Sequence, residues 1–256
     1  MSALGILCAN AWREQVRGRF FSVTLIFGGL MLYMSVLLGM LASDQEVRVL
    51  LDFGLSFIDV LAAAAVTFAA ATGLVREMET KTLYLILSRP VPRSVYLLGR
   101  YLGLLLSALT AVLAMAVVHV SILLFKGWHW EAGYLLALAG VGLKLAVTAA
   151  VATLLTMIST SVLSALCLTG ISWMLGHFVF EIRFMATQAL AGASAKALYV
   201  MAYVVPNLQL FNFRDRLGIP DATGGGVSFL FALSYCLVYS AACLGGAWGI
   251  FRRREF

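Results

Sequence analysis

Residues 145–180, LAVTAAVATLLTMISTSVLSALCLTGISWMLGHFVF, run for 36 positions without a charged side chain. As one helix at 1.5 Å per residue the stretch would be about 54 Å long, whereas a bilayer's hydrocarbon core is about 30 Å thick and takes about 20 residues. It is too apolar to face water and too long to cross once. It must turn, and the polar patch Ser159-Thr160-Ser161 is where the sequence lets it. The reading is therefore two spans, over 132–157 and 162–180, with Lys144 inside the first of them.

The same bracketing by charge works outward through the chain. Residues 20–43 are uncharged between Arg19 and Asp44, 53–75 are broken only by Asp59, and 101–125 lie between Arg100 and Lys126. A last span falls over 227–251, after Gly224-Gly225-Gly226. Composition agrees. Of 256 residues 62% are hydrophobic and only 12% charged, about half the charge of an ordinary soluble domain. Soluble and disordered classes are excluded on that ground. The fold expected is an all-α integral membrane protein, a single transmembrane domain of six helices over residues 1–256.

Six crossings put both termini on one side. Eleven of the 18 basic residues cluster in the N-terminal segment (Arg13, Arg17, Arg19), the connection between the second and third spans (Arg76, Lys81, Arg89, Arg93, Arg100) and the tail (Arg252, Arg253, Arg254). By the positive-inside rule those segments are cytoplasmic, in a multi-pass protein of the cytoplasmic (inner) membrane. The net charge of +6 is thus topological, and no nucleic-acid partner is implied. Cys8, Cys167, Cys236 and Cys243 have neither metal nor disulfide spacing and read as small buried apolar residues.

Three segments lie outside the spans. Residues 1–19 carry Leu4, Cys8, Trp12, Val16 and Phe20 at steps of four, an amphipathic helix lying in the interface with its tryptophan at headgroup level. Residues 76–93 form the cytoplasmic connection. Within it 77–88 read as a short helix with Glu77 and Glu79 in its first turn, where the dipole favours them. Leu83, Ile86 and Leu87 make an apolar patch, and Arg89-Pro90 stops the helix, because a residue before proline is pushed out of the helical region. A short, stiff, amphipathic helix on a loop is suited to docking in another protein's groove. Residues 182–223 are too long for an idle outer loop. There Met185, Ala189, Ala193, Ala197, Met201 and Val204 recur at helical steps, predicting one or two helices in the outer leaflet before Val205-Pro206-Asn207 breaks the pattern.

Three of these stretches resemble the permease subunits of type 2 ATP-binding-cassette transporters, in the branch with permeases of nitrous oxide reductase copper maturation and of gliding motility. They are Asp52-Phe53-Gly54-Leu55-Ser56-Phe57-Ile58, the Arg-Glu-x-Glu-x-x-Thr-Leu to Leu-Gly-Arg-Tyr-Leu-Gly series over 76–103, and Val205-Pro206-Asn207-Leu208 with Phe211-Asn212. The resemblance implies a homodimer or heterodimer of six-span subunits seated on cytoplasmic ATPase subunits. It makes the 76–93 segment the coupling helix and leaves room for a periplasmic accessory protein beside the membrane lipid. Carried over, Arg76, Glu77, Glu79, Thr82, Leu83, Ile86 and Leu87 couple to the ATPase. Pro90 and Arg93 set a rigid exit into the third span, and Pro206, Asn207 and Phe211 form the outer motif. The glycine usual before the threonine is Lys81 here; lysine stiffens a helix relative to glycine and bears on which ATPase is accepted. The chain has no G-x-x-x-x-G-K-S/T phosphate loop. The expectation is therefore a non-catalytic subunit without a cofactor of its own, with ATP and magnesium held by the partner.

Asp59 and Lys144 are the charges inside the spans, where isolated charges are costly and are paired or functional. Asp59 sits about six residues into its span and Lys144 about twelve, a depth gap of roughly 9 Å that a lysine stem can partly close by snorkelling. A structural ion pair and the polar lining of a cargo path both remain open. His177 and Glu181 stand four apart, but two ligands are too few for a metal site, and His119 and His129 would have to converge on them. Trp128 and Trp130 read as interface anchors. Two rivals stand beside the cassette reading. An ion-coupled secondary transporter using Asp59 and Lys144 would be expected to show internal repeats, and none is convincing. An intramembrane hydrolase would need a positioned nucleophile, and G-x-S-x-G is absent.

Overall fold

A computed structural model describes residues 3–41, 45–79, 92–188, 193–217 and 225–253. In chain order its helices are α1 (Ala3–Val16), α2 (Arg19–Leu41), α3 (Glu46–Glu79), α4 (Arg93–Phe125), α5 (Ala132–Ile158), α6 (Val162–His177), α7 (Val179–Gln188), α8 (Ala193–Val204) and α9 (Gly225–Arg253). Two short 3₁₀ turns, Leu208–Phe211 and Arg214–Arg216, lie between α8 and α9. Among the described residues five helices are long and apolar enough to cross a membrane, six if the bent pair α6–α7 counts as one. The chain is an all-helical membrane protein.

Its surface pattern is that of a lipid-facing bundle. On α2 the buried positions are Thr24, Gly28, Leu32, Ser35 and Gly39, mostly small or hydroxylated. The outward positions include Val23, Ile26, Leu30, Tyr33 and Leu41. Small residues let helix backbones approach where lipid tails remove any hydrophobic drive between helices. α5 is the axle: it packs on α3, α4, α6 and α9, and Leu145, Val147, Ala149, Ala150 and Ala152 are fully enclosed.

The turn expected at Ser159–Ser161 is present. Ser161 caps α6, its hydroxyl accepting from the Ser164 amide at 3.2 Å while the Ser164 hydroxyl accepts from the Ser161 amide at 3.3 Å. This is a capping box with serine in the place usually held by Glu or Gln.

Four expectations need correction. The helix of the fifth span does not run straight on to residue 180. α6 stops at His177, and the chain bends by 66° into α7, so a helix of 16 residues is followed by one that leaves its axis. α7 and α8 pack against each other through Val179, Ile182 and Ala202, with Met201 packed against them, while Ala189 and the Ala193 side chain lie outside what the structure describes. Of the others read off at helical steps, Met185 and Val204 face outward. Trp128 is buried against Leu50, Leu123 and Tyr134, so of the two tryptophans only Trp130 is exposed. Cys167 is exposed, on the outer side of α6.

The N-terminal helix is docked as well as amphipathic. α1 crosses α4 at Gly99-Arg100-Tyr101-Leu102-Gly103. A methyl group added at Gly99 would stand 2.8 Å from the Leu7 Cβ, and one at Gly103 would collide with the Ala11 Cβ. The small-x-x-x-small spacing lets the two backbones meet. Trp12 is turned into the bundle, its indole donating to the Thr110 hydroxyl at 3.1 Å.

Candidate functional site

Two polar constellations are built into the bundle, one at an end and one in its interior. At the end where α3 finishes and α4 starts, Arg100 is buried and forms ion pairs of 2.7 Å with Glu14 on α1 and with Glu77 on α3. The Tyr96 hydroxyl donates to the other Glu77 oxygen. Arg93 donates to the carbonyls of Phe251 and Arg252 at 3.2 Å and lies over the Phe251 ring. One guanidinium therefore ties α1, α3 and α4, and a second ties α4 to the end of α9. Glu77 is thus engaged within the chain, its side chain 18% exposed. Arg76 and Glu79 lie on the last turn of α3, of which only the backbone is described at Glu79. Thr82, Leu83, Ile86, Leu87 and Pro90 lie outside the described residues.

Deeper in the bundle, Lys144 and Asp59 form an ion pair at 2.5 Å. The 9 Å depth gap vanishes because α3 begins at Glu46, ahead of the expected edge. Asp59 is then thirteen residues into its helix and Lys144 twelve into α5, which starts at Ala132. His177 completes the group, its Nε2 lying 3.4 Å from the Lys144 Nζ. The His177 Nδ1 stands 2.9 Å from the Trp173 carbonyl, which can only accept. Nδ1 therefore carries the proton, and Nε2 turns its lone pair to the ammonium. Asp59 Oδ1 has no hydrogen-bond partner in the structure and borders a cavity of about 20 Å³ shared with Lys144, Asn212 and Arg214. That is room for about one water.

The outer motif closes this group from above. The Asn207 side chain accepts from the Gln209 amide at 3.2 Å, and the Asn207 amide donates to the Tyr235 hydroxyl at 2.9 Å. Pro206 is buried beside Gly176 on α6, and Phe211 is buried against α5, where Gly140 leaves room for its carbonyl. Gln209 donates to the His177 carbonyl at 2.5 Å and approaches Glu181 at 3.4 Å. Glu181 and His177 are therefore joined through Gln209 across the bend.

From sequence His119 reads only as a possible metal ligand. It is fully buried, with Nε2 3.2 Å from the Leu50 carbonyl and Nδ1 3.0 Å from the Tyr134 hydroxyl. It bridges α3 to α4 and α5, and Gly54 makes the space for its ring. Among the described residues no three His, Cys, Asp or Glu side chains could hold a metal ion. Arg100, Gln209 and Arg214 were not singled out from sequence. Arg100 was counted as a topology charge, and the other two lie in a segment with no regular period.

The fold and site thus define a class: a helical membrane protein with a buried ion pair midway along the bundle and an arginine clamp at the end bearing both termini. A family model for proteins of unknown function (DUF2705) matches residues 42–256, and the chain belongs to that family. No curated protein matches it.

Proposed function

We propose that this chain is the membrane-spanning permease subunit of an ATP-binding-cassette transporter. It moves a substrate across or out of the cytoplasmic membrane with energy from a separate ATPase subunit. The end bearing the termini, Arg76 and Arg100 is cytoplasmic, as the basic residues indicate. Segment 80–91 is the handle the ATPase grips, and a second permease copy completes the pore.

The observation that carries the reading is the Arg100 clamp. α3 and α4, of 34 and 33 residues, are each about 50 Å long and reach well beyond the hydrocarbon. Arg100 with Glu77, Glu14 and Tyr96 locks the ends that flank segment 80–91 into one block with α1. Force applied to that segment reaches two spans and the N-terminal helix together. Interfaces so built switch between discrete packings as rigid bodies. The resemblance over 76–103 and the missing phosphate loop point the same way.

Purification of the tagged chain from its native membrane tests this. An ATPase subunit in stoichiometric amount is expected. A chain that purifies without one, and moves its substrate in vesicles lacking ATP, would instead be a secondary carrier.

A further inference from the structure

At the end of the bundle opposite the termini, the start of α3, the α4–α5 connection and the second 3₁₀ turn surround an open cavity of about 1020 Å³. A separate cavity of about 20 Å³ lies beside the buried ion pair. The two linings share one residue, Arg214. Its guanidinium donates to the Ser56 hydroxyl, and its turn is tied down by the Asn212 side-chain amide, which donates to Asp215 at 2.7 Å. On α3, Asp52, Ser56 and Asp59 stand at i, i+4 and i+7, and so share one face. Asp52 and Ser56 line the open cavity and Asp59 the small one. From Asp52 to Asp59 is a step of about 10 Å along the helix. At its inner end the Asp59 Oδ1 is enclosed and has no hydrogen-bond partner.

We infer that the open cavity is the mouth of a path to the Asp59–Lys144 pair, gated by Arg214, which admits water and small cations in preference to anions. Four carboxylates, of Glu46, Asp52, Glu131 and Asp215, line the mouth against the two guanidinium groups of Arg48 and Arg214. A cleft with that excess concentrates cations. At the narrow end the sign reverses. A guanidinium at a constriction is an electrostatic barrier to cations, and here it stands between the mouth and the unpartnered Asp59 oxygen. The gate also has a second berth. Asp52 lies one turn outward from Ser56, and among the described residues its carboxylate has no partner. Side chains four apart on a helix have Cβ atoms about 5–6 Å from each other, a distance that an arginine spans by turning about its own stem. Moving the guanidinium from the Ser56 hydroxyl to the Asp52 carboxylate joins the two cavities and opens the way to Asp59. The inference rests on the shared wall and does not depend on how the chain is energised.

The test uses the full chain, with whatever co-purifies, in lipid nanodiscs and carrying Ala137→Cys. Ala137 lines the small cavity and is buried, so a thiol there reports on reagent that has passed Arg214. The probes are the cationic aminoethyl and the anionic sulfonatoethyl methanethiosulfonate, each rate being divided by that with a free thiol in solution. Peptide mass spectrometry reads position 137 apart from the four native cysteines. Adding Arg214→Ala is expected to speed modification by the cationic probe at least tenfold, and in that variant the cationic probe is expected to outrun the anionic one at least threefold. A rate at position 137 that Arg214→Ala leaves unchanged overturns the gate. An anionic probe that matches or outruns the cationic one overturns the preference for cations. Cys243 is buried and serves as the internal control. Should it too become modified in the Arg214→Ala chain, the bundle has loosened, and Ser56→Ala decides instead, because it removes only the acceptor. A rate at least threefold above that of the Ala137→Cys chain is expected there, and an unchanged rate contradicts the latch.

Discussion

Asp59 and Lys144 set the residue-scale energetics. Removing one partner strands the other charge away from water, whereas replacing both leaves none to strand. Asp59→Asn and Lys144→Met are each expected to lower thermal stability in detergent by about 3 kcal/mol or more, and the double substitution to recover most of it. Additive losses would mean that the two charges act separately. The clamp obeys the same rule. Arg100→Ala leaves Glu77 facing Tyr96 without its cation and is expected to cost about 3 kcal/mol, read as an earlier unfolding transition. A transition within a degree of wild type would show that the clamp holds nothing. Both charges inside the spans were legible as functional or paired because each stood alone in an apolar run. Arg100 was not legible as a clamp, since its partners lie 23 and 86 positions away and a charge at a span edge reads the same whether it meets water, lipid headgroups or a carboxylate.

Among the elements, α1 and the α5–α6 turn were read in advance with different success. The turn was forced by length, and its cap is local: Ser161 and Ser164 are three apart. Ser161→Ala should cost about 1 kcal/mol, measured by thermal unfolding, and a neutral result would make the cap decorative. α1 showed its apolar stripe but not its seat. Gly99 and Gly103 looked like ordinary glycines at the mouth of a span, and only the crossing angle turns them into a groove. Gly103→Leu would drive α1 off α4, so trypsin should cut at Arg13 and Arg17 at least several times faster. Unchanged cleavage would place α1 elsewhere. The bend at Phe178 escaped the sequence because no proline marks it and Gly176, two residues before, reads like any other glycine of a span. What holds it is Gln209 on the His177 carbonyl and near Glu181, a contact from 28 to 32 residues away.

For the whole molecule, a bundle of five or six helices long and apolar enough to cross a bilayer was legible from where the charges fall, since the bilayer admits few alternatives. The packing of residues 205–217 into the bundle did not follow, because irregular backbone has no period to read. The arrangement joins a base tied by Arg100 at the α3–α4 ends to an ion pair enclosed in the interior, the layout on which the proposed function rests. A photo-crosslinking residue at position 83, with one at the exposed position 130 as control, tests that claim most directly in intact cells. Position 83 is predicted to capture an ATPase subunit, and position 130 none. A position 83 that is reached by a membrane-impermeant label from outside, or that captures no protein, would contradict the account.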